Sequence, residues 1–303
     1  MSAPSSDRFR LDGRTALVTG AGQGLGRAEA LALAAAGASV VVNDFNGDAA
    51  EQVAGEISAA GGAAVAAPGD VSSWQTAERL VGTAVESFGS LDVLVNNAGV
   101  IRDRLIFNIS EEEWDTVIGV HLKGHAAMTR FATAHWREQS KAKGEEVYAR
   151  VVNTSSEAFL FGAPGQPNYA AAKAGIAALT LATAGGCSRF GVRANAICPR
   201  ARTAMTANVF GDAPAEGVDP LSVDHIAPLV TYLASPAAAA ISGQVFVAYG
   251  QMVALAAAPT VEKRFDASGP TWTVEDLDGA LGSYFTDRDP AQSFVASDFF
   301  TLS

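Results

Sequence analysis

Three polar residues in the middle of the chain have the types and the spacing of a proton-transfer site. Tyr169 and Lys173 are separated by three alanines, so a helix places both side chains on one face. A phenol has a pKa of about 10, and a nearby ammonium favours its ionised form. Tyr169 can then act as a base for a hydroxyl proton, with Ser156 hydrogen-bonded to the same oxygen. A solvated tyrosine–lysine pair is the alternative interpretation.

A glycine-rich stretch, TGAGQGLG at residues 19–26, predicts a second kind of site. It lies between an apolar strand and a helical stretch. Glycine allows a tight turn and lets backbone N–H groups approach a pyrophosphate, and the helix N-terminus adds partial positive charge. We therefore predict that a dinucleotide binds at this turn, at Gly20, Gln23, Gly24, Leu25 and Gly26.

Asp44 ends the second predicted strand and indicates which dinucleotide is used. It follows the turn at roughly the 20-residue spacing of a carboxylate that accepts a hydrogen bond from a ribose hydroxyl. A carboxylate at this place repels a 2′-phosphate, and residues 45–50 contain no Arg or Lys. The expected cofactor is therefore NAD and not NADP. A helix cap or a solvated aspartate is the alternative for Asp44.

Short apolar strands alternate with alanine-rich helices from Arg14 to about Val247. Continuous apolar strands need helices on both faces, so the alternation predicts an α/β fold with a doubly wound parallel sheet. The predicted strands are Thr15–Thr19, Ser39–Asn43, Ala63–Ala67, Leu91–Val95, Val147–Thr154, Val192–Ile197 and Gln244–Val247. The predicted helices are Leu25–Ala36, Ala49–Ala60, Trp74–Phe88, Glu111–Trp136, Asn168–Phe190 and Val223–Leu233, with a surface stretch at Lys141–Glu146.

The end of the chain differs in character from the rest. We assign residues 1–258 to a dinucleotide-binding catalytic domain and residues 259–303 to a C-terminal extension, which is more aromatic and acidic and has weak periodicity. Burial of its large apolar side chains is favoured over exposure to water. We expect them to pack on the same domain or on a partner subunit; they are Phe265, Trp272, Leu277, Leu281, Tyr284, Phe285, Phe294, Phe299 and Phe300.

Composition excludes several function classes. The chain has 303 residues with 21 basic and 32 acidic side chains, a formal net charge of −11, which disfavours nucleic-acid binding. Its two cysteines have no metal-ligand spacing and fit a reducing compartment, so we expect neither disulfides nor a metal site. The first ten residues lack the apolar segment of a secretory signal, and the longest apolar runs are short. A cytoplasmic protein without membrane partners is expected.

Together, several motifs resemble the classical short-chain dehydrogenase/reductase family. They are TGAGQGLG (19–26), GDV (69–71), NNAG (96–99), the Ser156, Tyr169 and Lys173 set, and Asn195-Ala-Ile-Cys-Pro199. The resemblance implies strand order 3-2-1-4-5-6-7, and it places Asp70 and Val71 beside the adenine. It also implies that Asn97, Ala98 and Gly99 line the cofactor cleft, and that Ile197–Thr203, with Pro199 and Thr203, flanks the nicotinamide.

The chain departs from the family pattern at three places. His121 stands where the family usually has an asparagine that supports a water relay from the lysine. Imidazole can donate and accept, so we include His121 among the candidate catalytic residues; a satisfied, semi-buried histidine is the alternative. The usual Pro-Gly after the sixth strand is Pro199-Arg200, and the usual Asp-Gly-Gly near the end is Ala248-Tyr249-Gly250.

These departures point to one subgroup of the family. The stretches VVNDF (41–45), NNAGVIRDR (96–104) and VHLKGH (120–125), with the C-terminal extension, resemble the (3R)-hydroxyacyl-CoA dehydrogenase part of peroxisomal multifunctional enzyme type 2 (17β-hydroxysteroid dehydrogenase type 4) and its bacterial stand-alone relatives. The resemblance implies NAD-dependent oxidation of a (3R)-3-hydroxyacyl-CoA to a 3-oxoacyl-CoA in β-oxidation, including steroid side chains. CoA phosphates would then meet cations near the cleft, unless these are solvated surface charges; the candidates are Arg102, Arg104, Lys123, Arg200 and Arg202.

Other functions stay open at this point. The enzymatic alternatives are a 3-oxoacyl carrier-protein reductase and a hydroxysteroid or secondary-alcohol dehydrogenase. An NAD-binding regulator without turnover is the non-enzymatic one, which the complete Ser156, Tyr169 and Lys173 set disfavours. The resemblance also implies a homodimer, with a tetramer as the alternative assembly.

Overall fold

One sheet of eight strands forms the centre of the molecule in the computed structural model, which describes residues 6–206, 210–257, 261–286 and 288. The strand order is 3-2-1-4-5-6-7-8, and the first seven strands run parallel. The predicted doubly wound sheet and its order are thereby confirmed. The strands are β1 Thr15–Thr19, β2 Ser39–Asn43, β3 Ala64–Ala66, β4 Val93–Asn96, β5 Ala149–Thr154, β6 Val192–Pro199, β7 Val245–Tyr249 and β8 Met252–Leu255.

The eighth strand was not expected from the sequence. β8 runs antiparallel to β7, with Tyr249 opposite Met252, and Gly250 at φ 51° allows the tight reversal between them. It forms the open edge of the sheet, where Val253 and Leu255 are more than half exposed. An apolar run that is buried on one face only is hard to distinguish by composition from a loop, which explains the omission.

Helices cover both faces of the sheet and bury two apolar clusters against it, as the continuous apolar strands require. Trp74–Phe88 has the predicted bounds, and Ser73 caps it by accepting a hydrogen bond from the Thr76 N–H. The helices are α1 Gly24–Ala35, α2 Gly47–Ala59, α3 Trp74–Phe88, α4 Glu111–Ile118, α5 Gly124–Lys143, α6 Ala158–Phe161, α7 Pro167–Cys187 and α8 Ala227–Ala234. Single 3₁₀ turns occupy Ser6–Phe9, Ile106–Asn108, Ser188–Phe190, Val223–His225 and Pro236–Ala238.

The predicted long helix that begins at Glu111 has an irregular centre. α4 and α5 are joined by a π-helical turn, Gly119–Lys123, which contains His121. The helix then continues past the predicted end to Lys143, where Gly144 in the left-handed region stops it. Half of the stretch expected as a surface excursion is therefore helical. Single π-turns inside helices occur frequently at functional sites.

Helix α7 carries the Tyr169 and Lys173 pair. Together with the 3₁₀ turn that follows it, the stretch Pro167–Phe190 is long and apolar enough to span a membrane by length and composition alone. In the fold, its inner face packs against the sheet, with Ile176 and Ala172 fully buried. The low polarity of α7 therefore reflects its place against the apolar core.

The described part of the C-terminal extension contains two short helices, α9 Val274–Leu277 and α10 Ser283–Thr286. Thr273 and Asp276 form a capping box at the start of α9. Tyr284 lies edge-on to Phe265 and Phe285, with ring centroids 5.4 Å and 5.1 Å apart. Much apolar surface stays exposed in the single chain, and Phe285 is 56% accessible. Phe294, Phe299 and Phe300 lie outside the described residues.

Candidate active site

A cavity of about 530 Å³ opens at the carboxyl ends of the parallel strands, where ligands bind in open α/β sheets. The structure brings most of the predicted site residues to its wall. These are Gly20, Gln23, Gly24, Leu25, Asp44, Asp70, Val71, Asn97, Ala98, Gly99, His121, Tyr169, Lys173, Pro199 and Thr203. Gly26 and Ser156 are placed just outside this wall.

Two glycines, Gly20 in the turn between β1 and α1 and Gly26 in the first turn of α1, are there because no side chain fits. A Cβ on Gly20 would lie 2.8 Å from the Ala98 Cα, and its φ is 62°. A Cβ on Gly26 would lie 2.2 Å from the Gly20 carbonyl oxygen. Gly26 therefore lets the first turn of α1 pack against the loop, while Gly20 leaves room between that loop and the one after β4. The turn is a cradle that fits a pyrophosphate at a helix N-terminus.

Asp44 follows β2 and faces the glycine-rich turn. Its two carboxylate oxygens accept hydrogen bonds from the Gly22 and Asn46 N–H groups, each at 2.9 Å. The buried Asn43 beside it donates to the carbonyl oxygens of Ala67 and Gly69, and so positions the loop that carries Asp70. Each oxygen of Asp44 keeps a further lone pair for ribose hydroxyl groups.

The loop after β4 is fastened to the same turn by side-chain hydrogen bonds. The Thr19 hydroxyl accepts from the N–H groups of Asn97 and Ala98 at 3.0 and 3.2 Å. The Asn97 amide donates to the carbonyl oxygens of Thr19 and Gly20, both at 3.1 Å. These bonds make residues 97–99 and the turn one rigid wall of the cavity.

Lys173 and Tyr169 lie on the inner face of α7, as the sequence predicts. The Lys173 Nζ donates to the Thr154 carbonyl oxygen at 2.6 Å and lies 5.3 Å from the centre of the Tyr169 ring. Burial lowers the pKa of Lys173 to about 7. Burial also raises the pKa of Tyr169 to about 12, whereas the hydrogen bond with the Ser156 hydroxyl acts to lower it. The expected lowering of the Tyr169 pKa by lysine is not observed, because burial determines the direction of the shift. Ionisation of the phenol needs further positive charge beside it.

Ser156 follows β5 and lies next to Tyr169. Its Oγ accepts from the Ala158 N–H at 3.2 Å, which leaves the hydroxyl proton to be donated. The preceding Ser155 donates to the Lys173 carbonyl oxygen at 2.8 Å, so the strand end and α7 are joined directly behind the site. The Ser156 hydroxyl can therefore donate to an oxygen that Tyr169 also contacts.

His121 lies on the π-turn, edge-on to Tyr169 with ring centroids 5.2 Å apart. Its Nε2 lies 3.0 Å from the Val100 nitrogen and 2.7 Å from the Val100 oxygen. Burial, together with the charge of Lys173, holds the pKa of His121 well below its usual range, so the ring is neutral. A Cβ on Gly99 would lie 2.4 Å from the His121 ring. The imidazole thus supports the loop after β4 as well as contacting the phenol.

Sequence reasoning missed several residues near the site. His125 lies one helical turn after His121 and is fully buried; burial and the charge of Lys173 lower its pKa to about 3. Phe45 and Ser155 line the cavity as direct neighbours of the predicted Asp44 and Ser156, a signal that could have found them. Met205 and Thr206 line it from a loop without a sequence motif.

The five cations proposed for CoA phosphates are not equivalent. Lys123 is exposed at the end of the π-turn. Arg200 is bound to Glu157, and Arg202 is bound to Asp219 at 3.0 Å, so both charges are already neutralised. The loop with Arg102 and Arg104 is tied to the start of α7, since the Asn168 side chain donates to the Arg102 carbonyl oxygen. Both arginines of this loop are exposed at the rim, although Arg104 also contacts Glu113 at 3.2 Å.

The family model described as short chain dehydrogenase matches residues 14–213. This chain belongs to the short-chain dehydrogenase family. The match covers both the glycine-rich turn and the Ser156, Tyr169 and Lys173 set. The short-chain dehydrogenase is therefore an oxidoreductase that binds a nicotinamide dinucleotide, and the cradle, Asp44 and the cavity fit such a group.

Individual relatives of this short-chain dehydrogenase are similar over most of its length. Hydroxyacyl-CoA dehydrogenase ChsB1 of Mycobacterium tuberculosis is 54% identical over 297 residues, 95% of this chain and 93% of that protein. Peroxisomal multifunctional enzyme type 2 of Mus musculus is 42% identical over 236 residues, 74% of this chain and 30% of that protein. A crystal structure of a short chain dehydrogenase from Mycobacterium avium has 46% identity and a TM-score of 0.85, covering 94% of this chain and 99% of that one.

Proposed function

We propose that this short-chain dehydrogenase oxidises (3R)-3-hydroxyacyl-CoA thioesters to 3-oxoacyl-CoA with NAD. The observation that carries the proposal is the near full-length similarity to hydroxyacyl-CoA dehydrogenase ChsB1. The similarity to peroxisomal multifunctional enzyme type 2 supports the same substrate class. The proposed substrates include CoA thioesters in which the acyl group is the side chain of a steroid.

The residues of the chain have distinct tasks in this reaction. Ser156 donates a hydrogen bond to the substrate hydroxyl oxygen, and Tyr169 removes its proton. Lys173 is held by the Thr154 carbonyl oxygen with its nitrogen 5.3 Å from the centre of the phenol ring, and would bind a ribose hydroxyl of the cofactor. When bound, the oxidised nicotinamide supplies the hydride acceptor and the positive charge that the buried phenol needs. Neutral His121 keeps the phenol ring in place by its edge-on contact.

The rim of the cavity is the proposed place of the CoA group. Arg102 and Arg104 are exposed beside the start of the helix that carries Tyr169, and their charges are available to phosphates from solvent. Arg200 and Arg202 are excluded from this role because carboxylates bind them where their side chains are only 14% and 19% exposed, whereas Arg104 stays 56% exposed beside Glu113. The CoA part of the substrate would therefore enter from the side of the loop after β4.

A substrate panel tests the proposed function. Purified protein is given (3R)- and (3S)-3-hydroxyacyl-CoA thioesters, the matching carrier-protein thioesters, free hydroxysteroids and secondary alcohols, each with NAD or NADP. We expect the highest kcat/KM for a (3R)-hydroxyacyl-CoA with NAD, measured as absorbance of the reduced cofactor. Preference for a carrier-protein thioester with NADP would instead indicate the reductase, and preference for a free steroid or alcohol would indicate a general dehydrogenase. Cofactor binding without turnover on any substrate would favour a regulator.

Asp44→Ala tests the proposed preference for NAD. The variant loses the carboxylate that would accept from the ribose hydroxyls, a charge-assisted bond of about 1.5–3 kcal/mol. We expect kcat/KM for NAD to fall about 10- to 100-fold, while that for NADP rises or is unchanged. Asp48→Ala is the matched control, because it removes an exposed carboxylate in the first turn of α2. Wild-type preference for NADP, or an unaltered NAD/NADP ratio in Asp44→Ala, contradicts the assignment.

A further inference from the structure

An ion pair joins the loop of Ser156 to the end of β6. The Arg200 guanidinium donates to both carboxylate oxygens of Glu157, from Nε at 2.5 Å and from Nη2 at 2.6 Å. The two side chains are only 14% and 9% exposed. Such a bidentate arrangement fixes the orientation of both groups as well as their separation.

Each partner is rigidly connected to its own part of the site. Glu157 directly follows Ser156, and the two residues open α6: the Ser156 carbonyl oxygen accepts from Phe159, and that of Glu157 from Leu160. Ser156 and Glu157 therefore move as one turn. On the other side, the Arg200 N–H donates to the Ala248 carbonyl oxygen at 3.0 Å, and its guanidinium lies 5.6 Å from the centre of the Tyr249 ring.

We propose that the Glu157–Arg200 pair positions Ser156 against Tyr169. The pair ties the turn that carries the Ser156 hydroxyl to the ends of β6 and β7. The positions of these strand ends do not depend on the conformation of the loop after β5. The Ser156 hydroxyl favours ionisation of Tyr169, so its place relative to the phenol bears on the acidity of the base. Arg200 and Glu157 are positioning residues here; neither needs to touch the substrate.

Stability alone is a poor explanation of this pair. A buried ion pair loses the hydration of both charges, and replacement by apolar groups is often neutral or stabilising. The Arg193–Glu146 pair, near the start of the same strand β6, is more exposed, with a 3.5 Å contact, and lies away from Ser156. It is a natural control for the effects of breaking an ion pair on β6.

Steady-state kinetics of three single variants and one double variant test the proposal, with the thioester of the proposed function as assay substrate. We expect Arg200→Gln to lower kcat about tenfold or more, to leave the KM for NAD unchanged, and to shift the rise of oxidation rate to higher pH. Arg200→Lys, which keeps the charge but not the bidentate geometry, should recover part of kcat. Arg193→Gln should match the wild type in kcat and pH profile.

The double variant Glu157→Ala/Arg200→Gly separates positioning from stability. It removes both charges and leaves neither of them buried and unpaired, so its Tm should stay near that of the wild type. We expect kcat to remain low, because Ser156 is no longer tied to β6. Wild-type kcat and pH profile in this folded variant would overturn the proposal, as would the same loss in Arg193→Gln.

A structural readout keeps this test independent of the substrate. Crystal structures of the wild type and of Arg200→Gln with NAD bound should show the Ser156 hydroxyl displaced from Tyr169 in the variant, with residues 19–26 unchanged. An unmoved Ser156 contradicts the proposal even if no thioester is turned over. Absence of thioester turnover by the wild type, in contrast, counts against the proposed substrate and not against this role of the pair.

Discussion

Tyr169→Phe is expected to lower kcat by about 10²- to 10⁴-fold, the usual contribution of a positioned acid–base group. The phenol of Tyr169 lines the cavity, and the Ser156 hydroxyl lies beside it. A substrate oxygen in the cavity can therefore contact both groups. Removing one oxygen from the edge of the cavity leaves the glycine-rich turn and Asp44 intact. Affinity for NAD, measured by quenching of protein fluorescence, should therefore change little.

The rates of the wild type and of Tyr169→Phe should also differ in their dependence on pH. Burial raises the pKa of Tyr169 to about 12, so the phenol is protonated in the cofactor-free protein at neutral pH. The base form becomes more populated as pH rises, and the rate of alcohol oxidation by the wild type should increase with pH. Residual activity of Tyr169→Phe should lack this rise. Tyr232→Phe, which changes a partly exposed tyrosine on α8, is the matched control and should behave as the wild type. Near-normal turnover in Tyr169→Phe would mean that another group takes the proton.

The local sequence was sufficient to predict features that a single helix, strand or turn determines. β1, β2 and α3 have the predicted bounds, because their apolar runs are bounded by clear turn or cap residues such as Ser73. Tyr169 and Lys173 share a helix, so their mutual placement needed only the helical period. The cofactor turn likewise combines a strand, glycines and a helix that are contiguous in sequence.

Features that depend on packing between distant segments were not predictable in this way. The Glu157–Arg200 pair joins residues 43 positions apart, and neither residue has a local motif. The pKa of Tyr169 was expected to be lowered by lysine, but burial by several elements raises it. β8 and the π-turn at His121 are similar cases, since the pairing of an edge strand and one extra residue in a helical turn have weak periodic signals.

Removal of the C-terminal extension is expected to change the assembly of the protein. In the single chain, the described part of the extension leaves large apolar groups in water: Phe285 is 56% accessible, and Trp272, Leu277 and Leu281 are each 37% accessible. Burying one such side chain contributes about 1.5–3 kcal/mol. The open edge β8 adds Val253 and Leu255 to the exposed apolar surface. A second copy of the chain is the partner that we expect to cover the aromatic groups of the extension.

The experiment compares the full-length protein with a chain that ends after Ala258, by light scattering and by NAD binding. The resemblance to the multifunctional enzymes implies a dimer for the full-length chain, because the extension occupies a surface at which further subunits would associate. The shortened chain loses the segment that we expect to limit assembly, so we expect it to form tetramers or larger assemblies while still binding NAD through the unaltered turn at residues 19–26. Phe285→Ser in the full-length chain is a milder variant, and should weaken the dimer while the rest of the extension is kept. A shortened chain that is soluble, fully active and unchanged in subunit number would contradict this role, and would show that the aromatic groups of the extension contribute only to contacts among themselves, such as the Phe265–Tyr284 pair.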